Sequence, residues 1–358
     1  MFNNLAYIVL LMIIGTLLYV RKTIVPKQKK YVSRLICFCL IVFSGFRFCV
    51  GTDFEGYSDM FYRILAEGRY YDIEWGYYWL VRFVNAIGGT AQLVFFIFSF
   101  ITLYFIYKFI EYFSEDVELS WLVFVCIGPY FLSTFNGMRQ WLVVAIFAYS
   151  LRFVKETNFK KYFFLNILGC LFHYSAILLI PLYWLLKAKN FSLAKIGICY
   201  LIFQISSMVG LLDLIADKLH ATSYLEGDAM MQLDWSYYVF FALAVCFVII
   251  SIVYPDITGE DKIFKNMNAL SGLTVFLALT ASGLSNMIFI RYNLYFFVGY
   301  IILIPLVIAK MKDSSLRRLM TFVIIGFSTM YFFYVTSTAT DLTPYQMNFD
   351  LFTWLGGN

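Results

Sequence analysis

Apolar runs recur along the whole chain with short polar breaks between them, near 5–20, 32–48, 91–112, 120–135, 139–154, 162–172, 174–186, 194–216, 236–254, 267–286, 292–309 and 319–336. A helix needs about 20 apolar residues to cross a hydrocarbon core of roughly 30 Å. Lipid cannot satisfy backbone polar groups, so such runs must close their hydrogen bonds within a helix. The pattern therefore predicts an all-α fold, a polytopic transmembrane bundle of about twelve membrane helices. It forms a single integral membrane domain over 1–358. The first run has no basic residues before it and no small-residue cleavage site after it, so it reads as a retained span. Segment 76–88 (GYYWLVRFVNAIG) is too brief to span and carries Arg82. It reads as an interfacial helix within an outer segment, 49–90.

The run at 162–186 sets the orientation. Lys160 and Lys161 precede it, and Lys187 and Lys189 follow it. Lysines mark cytoplasmic loops, so the run folds into two short re-entrant arms that turn at His173. Each arm gives about 18 Å of helix, too short for a full crossing. With the N-terminus outside, this reading puts most of the 27 Lys and Arg on the cytoplasmic side. A single span there would invert every later loop and erase the bias. The loop 217–235 and the C-terminal tail 337–358 then lie outside. The tail carries Tyr345, Phe349, Phe352 and Trp354, suited to the outer interface.

Composition adds exclusions. The chain is 62% hydrophobic and 14% charged, with no soluble stretch long enough for a cytosolic catalytic domain and no Gly-rich phosphate loop. The net charge of +5 comes from cytoplasmic lysines and calls for no nucleic acid. Seven cysteines lie in or beside apolar runs, and the chain has two histidines. No spacing there suits a metal, so neither metal nor cofactor is expected.

The cations left on the outer side are Arg47, Arg63, Arg69, Arg82, Arg139, Lys218 and Arg291, nearly all arginine, whereas lysine dominates inside. Lysine suffices for topology, while arginine offers a planar fork that grips phosphate with two hydrogen bonds. Four outer ends carry polar groups that plain spans would lack. Arg47 precedes Gly51, Asp53 and Tyr57 in a turn that brings guanidinium and carboxylate together; the competing reading is a snorkelling arginine. Glu74, Gly76 and Tyr77 open the interfacial segment, where a glutamate is also ordinary complement to the helix dipole. Asn136, Arg139 and Gln140 form a polar turn. An arginine in a helix's first turn gains nothing from the dipole and so requires an anionic partner. His173 sits at the re-entrant apex, and the run from Asn286 to Arg291, Tyr292 and Asn293 closes the set. A lone histidine in an apolar segment equally reads as hydrogen-bonded packing.

The order R-x3-G-x-D-x3-Y (Arg47 to Tyr57), E-x-G-Y (Glu74 to Tyr77), N-x2-R-Q (Asn136 to Gln140), F-H-x-S-A (Phe172 to Ala176) and a late R-Y (Arg291, Tyr292) resembles the EpsG family. These are polysaccharide polymerases of the Wzy type, which build O-antigen, capsule and exopolysaccharide. The resemblance implies a bacterial inner (plasma) membrane location and an undecaprenyl-diphosphate-linked oligosaccharide substrate. It also implies glycosyl transfer in a site open to the outer face, within a membrane-lipid setting and alongside a chain-length regulator and a flippase.

The residue chemistry fits that role. Arg47, Arg139 and Arg291 are the candidates to hold the diphosphate as charge develops on it. Glu74, His173 and Asp53, in that order, are the candidates for the base that takes the acceptor's proton. Tyr57, Tyr77, Gln140 and Tyr292 are the substrate-contact candidates. The alternatives are a lipid-linked oligosaccharide flippase, a membrane O-acyltransferase and a glycan ligase. A transporter would place charge near midplane and show repeated halves, and neither is visible here.

Overall fold

The computed structural model describes residues 4–70, 73–127, 130–188, 262–280 and 284–353, with scattered helical positions between 198 and 250. Apart from those positions, the expected spans 194–216 and 236–254 and the loop 217–235 lie outside the described residues, as does Trp354. The chain divides into two compact units, one formed by 1–180 with 304–358 and the other by 181–303.

In chain order the helices are α1 (Leu5–Thr23), α2 (Pro26–Gly45), α3 (Phe54–Glu67), α4 (Trp75–Ala86), α5 (Ala91–Phe113), α6 (Val117–Cys126), α7 (Met138–Lys155), α8 (Phe159–Cys170) and α9 (Leu182–Lys187). They continue with α10 (Lys262–Thr280), α11 (Leu284–Phe297), α12 (Tyr300–Ala309) and α13 (Ser314–Thr338). Two short strands, β1 (Arg47–Phe48) and β2 (Gln346–Met347), pair antiparallel, with Arg47 opposite Met347. The fold is predominantly helical over its described length, and its apolar helices are those of a membrane protein.

Among the described residues, length and hydropathy qualify three helices to cross a membrane, α1, α5 and α13, or four if Phe289–Phe297 and Tyr300–Ala309, bent by 41°, act as one. α2 and α7 have 20 and 18 residues, but cations occupy the first turns of α2 and both ends of α7. Twelve membrane helices are not reached among the described residues. Several expected runs are broken where the sequence carries breakers. The run 120–135 ends as a helix at Cys126, just before Gly128-Pro129, and resumes as a 3-10 turn at Leu132–Phe135. The run 292–309 breaks between Phe297 and Tyr300, beside Gly299. After α8 the chain reverses through His173 into a 3-10 segment, Tyr174–Leu179, that runs back along α8. Tyr162 Oη donates to the Leu179 carbonyl at 2.6 Å.

In the first unit α5 packs against α2 and α7, and α7 against α8. The segment between α2 and α4 is not a plain loop. Phe54, Tyr57, Phe61 and Ile64 recur at helical spacing and bury one face of α3 in the core shared with Tyr77, Val81 and Val84 of α4. At the opposite end of the bundle, expected on the cytoplasmic side, Arg21 is buried. It pairs with Glu118 at 2.8 Å and Glu111 at 3.3 Å and donates to Ser33.

The C-terminal segment straps the end that holds the starts of α5 and α7. Tyr7 Oη donates to the Leu342 carbonyl at 2.7 Å, and the Asp341 carbonyl accepts from Gly51 N–H at 2.8 Å. The Tyr345 ring stacks on Phe43 at 4.1 Å, and its hydroxyl donates to the Phe43 carbonyl. Beyond β2, the Leu351 carbonyl accepts from Thr90 N–H, and Thr353 N–H reaches the Gly88 carbonyl. This tail is therefore a fixed part of the first unit. Truncating its aromatic anchor, Tyr345→Ala, is expected to cost about 3 kcal/mol through lost packing. Tyr345→Phe removes one hydrogen bond and costs about 1 kcal/mol. Thermal unfolding of the solubilised protein checks this, with midpoints falling in the order wild type, Phe variant, Ala variant.

Candidate active site

Three polar turns converge, and the local sequence explains how each is held. The first opens α7. Gly137 adopts the left-handed conformation (φ 57°), and its N–H donates to Asp53 Oδ2 at 2.7 Å. Asp53 N–H in turn reaches Asn136 Oδ1 at 3.4 Å. Gly51, at φ 97°, passes so close that a Cβ there would lie 2.6 Å from Asn136 Oδ1. Asn136 Nδ2 also reaches Asp341 Oδ2 at 3.5 Å. The Gly51-x-Asp53 and Asn136-Gly137 motifs are thus one interlocked joint. It places a carboxylate at the start of α7, where the helix dipole favours it. Arg139 projects from the turn so fixed.

The second and third turns meet each other. Gly76 N–H donates to the Leu171 carbonyl at 2.7 Å, and a Cβ at Gly76 would stand 2.5 Å from that oxygen. Only glycine allows the start of α4 to seat on the turn that ends α8, and that turn carries His173. Glu74 precedes the helix as its N-cap residue, yet its side chain makes no capping bond.

The carboxylate is spent elsewhere. Glu74 Oε2 pairs with Arg139 Nη1, and Glu74 Oε1 lies 3.2 Å from His173 Nδ1. Glu74 is 3% exposed, while the Arg139 and His173 side chains keep 16% and 18% of their surface. Tyr57 and Tyr77 bracket the guanidinium, with ring centroids 5.7 and 5.4 Å from its central carbon. Such contacts strengthen as water is excluded.

The electrostatics follow. Burial works against ionisation of the Glu74 carboxyl, but the His173 hydrogen bond and the Arg139 charge outweigh it and hold the group below the usual carboxylate range. An ionised carboxylate only accepts, so the bond to Nδ1 selects the imidazole tautomer with its proton on Nδ1 and its lone pair on Nε2.

The geometry thus brings together Glu74, His173, Arg139, Tyr57 and Tyr77, with Asp53 holding the turn behind Arg139. Asp53 reaches Gly137, whereas Arg47 turns to main-chain carbonyls. Arg47 is 1% exposed, donates to Ser44 O at 2.7 Å and Phe135 O at 3.0 Å, and lies over the Phe95 and Phe135 rings. It does not snorkel. Gln140 is buried in α7. Arg291 and Tyr292 belong to α11 in the second unit; Arg291 is exposed there, and Tyr292 packs on Tyr295 and Phe296. The side chain of Asn286 lies outside the described residues. Two contributors were not singled out from sequence. Asp341 supports the joint from the far end of the chain, which no local pattern reveals. α3, which delivers Tyr57, was legible in the spacing of Phe54, Tyr57, Phe61 and Ile64.

A family model, that of the EpsG family, matches residues 30–347. Neither the curated proteins nor the solved structures yield a match.

Two outcomes test this geometry. Gly76→Ala forces a Cβ against the Leu171 carbonyl and is expected to destabilise the protein by about 1–3 kcal/mol. Glu74→Gln leaves the partly buried Arg139 without its counter-charge, at about 3 kcal/mol near neutral pH. Because the folded carboxyl titrates below its unfolded value, the wild-type advantage is full above the unfolded pKa and fades as pH falls through the folded one. Unfolding midpoints of wild type and Glu74→Gln should therefore converge in acid.

Proposed function

We propose a mechanism for a chain that belongs to the EpsG family, the Wzy-like polysaccharide polymerases, and so polymerises saccharide units by glycosyl transfer. The substrate in this reading is an oligosaccharide repeat unit on undecaprenyl diphosphate. The reaction runs on the outer face of the bacterial inner (plasma) membrane, with α8 and the segment after His173 forming a re-entrant pair. The observation that carries the reading is the buried carboxylate of Glu74, bonded at once to His173 and Arg139.

Glu74 is too buried, and too well stabilised as an anion, to serve as the base itself. It orients the imidazole instead, and His173 Nε2 is the base. As Nε2 takes the proton from an acceptor hydroxyl, that oxygen attacks the anomeric carbon of the donor sugar. The bond from that carbon to the diphosphate oxygen breaks, and its electron pair leaves with the lipid diphosphate. The imidazolium that forms faces the Glu74 carboxylate, which offsets its charge, and returns the proton to solvent. Arg139 stabilises the leaving diphosphate with the donors not engaged by Glu74. Arg47 acts as a positioning residue, because both terminal nitrogens serve the carbonyls of Ser44 and Phe135. Asp53 positions the α7 turn.

The test is purified protein in lipid nanodiscs supplied with lipid-diphosphate-linked repeat units. A ladder of products supports polymerisation, a single transfer points to a ligase, and no transfer to a transporter. His173→Ala should abolish the ladder while folded protein persists. Arg139→Lys keeps the charge but loses the fork, and the rate should fall roughly a hundredfold, about 3 kcal/mol of transition-state stabilisation. Arg47→Lys should lower the yield of folded protein instead. A full ladder from His173→Ala would remove the imidazole as base.

A further inference from the structure

Beside the Glu74–His173 pair lies a surface built from the residues that directly follow each of them. Trp75 follows Glu74 and is 50% exposed; Tyr174 follows His173 and is 42% exposed. Arg69, between α3 and α4, joins them. Its guanidinium carbon stands 4.2 Å from the centroid of the Trp75 ring, and Nη2 donates to Tyr174 Oη at 3.2 Å. Arg69 Nε is buried without a hydrogen-bond partner, and no carboxylate among the described residues pairs with this guanidinium. An aromatic stripe at a membrane interface is ordinary, and α4 carries one in Trp75, Trp79 and Phe83, all exposed. Trp75 differs from the other two. An arginine fixes its ring, and that arginine is tied to the turn that carries the imidazole.

We propose that Arg69, Trp75 and Tyr174 form a saccharide-binding subsite that seats a pyranose ring of the repeat unit next to His173. The open face of the Trp75 indole takes the apolar C–H face of the sugar, and a ring held by two χ angles does so at little entropic cost. Arg69 and the Tyr174 hydroxyl supply the hydrogen bonds that set its orientation. The sugar as ligand class rests on the polymerase reading; the subsite itself rests on the three side chains.

Binding and turnover separate the two. Full-length protein in nanodiscs is titrated calorimetrically with two probes, the lipid-diphosphate-linked repeat unit and undecaprenyl diphosphate without sugar. Trp75→Ala is expected to weaken binding of the glycosylated probe at least tenfold and to leave the sugar-free probe within twofold. Arg69→Gln should behave alike, Trp75→Phe should retain most of the affinity, and Trp79→Ala on the same stripe should change neither. In ladder synthesis Trp75→Ala should raise KM and leave kcat within threefold. Equal weakening of both probes would make the surface a lipid or diphosphate contact, and unchanged binding of both would leave it an interfacial anchor; either result overturns the subsite. If wild type binds the glycosylated probe with this Trp75 dependence yet builds no ladder, the polymerase reading fails and the subsite stands.

Discussion

One buried carboxylate organises the first unit of this protein. Glu74 is nearly closed to solvent and sits between a guanidinium and an imidazole. A carboxylate in that setting is costly unless its oxygens are paired, and each oxygen has one partner. Glu74 stands at the start of α4, and its partners come from distant parts of the chain, the start of α7 and the turn after α8. The interaction therefore serves as a tie between three elements as well as a charge pair. Remove the carboxylate and Arg139 is left, partly buried, between two tyrosines with no anion. Remove His173 and one oxygen loses its donor.

The rest of this end of the molecule keeps those three elements in register. Gly76 lets α4 touch the Leu171 carbonyl, and Gly51 and Gly137 let the Asp53–Asn136 joint close. The C-terminal tail then fastens the joint from outside through Asp341. Arg47 sits beneath, binding the end of α2 to the Phe135 carbonyl just before the α7 turn. Functional groups need support within about half an ångström to act together. Here it comes mostly from backbone hydrogen bonds to glycines and one aspartate, which no side-chain repacking easily loosens.

Much of this was legible in the sequence, for reasons that differ by residue. Glu74, Arg139 and His173 stood out because charge in an apolar chain is expensive, so each one needed a reason. The requirement that Arg139 have an anionic partner follows from its place in a helix's first turn, and Glu74 is that partner. The roles within the set were harder. A glutamate before a helix looks like an ordinary cap, and only its distances reveal that it is bonded to other elements. Arg47 read as one of three diphosphate arginines, since sequence cannot tell a guanidinium facing a cavity from one facing carbonyls. Helix breaks beside Gly128-Pro129 and Gly299 were present in the letters but lost in a count of apolar residues, which ignores the backbone. The strap was invisible, because its contacts join residues near 45 and 90 to residues beyond 340.

Glu74 holds the His173 imidazole in one tautomer, and nitrogen NMR reads tautomers directly. The chain has two histidines, His173 and His220, so selective 15N-histidine labelling with a His220→Gln variant leaves one imidazole to observe. At a pH where the ring is neutral, Nδ1 is expected to carry the proton and Nε2 to be unprotonated, with that preference lost in Glu74→Ala. A His173 ring protonated on Nε2, or a spectrum unchanged by Glu74→Ala, would contradict it.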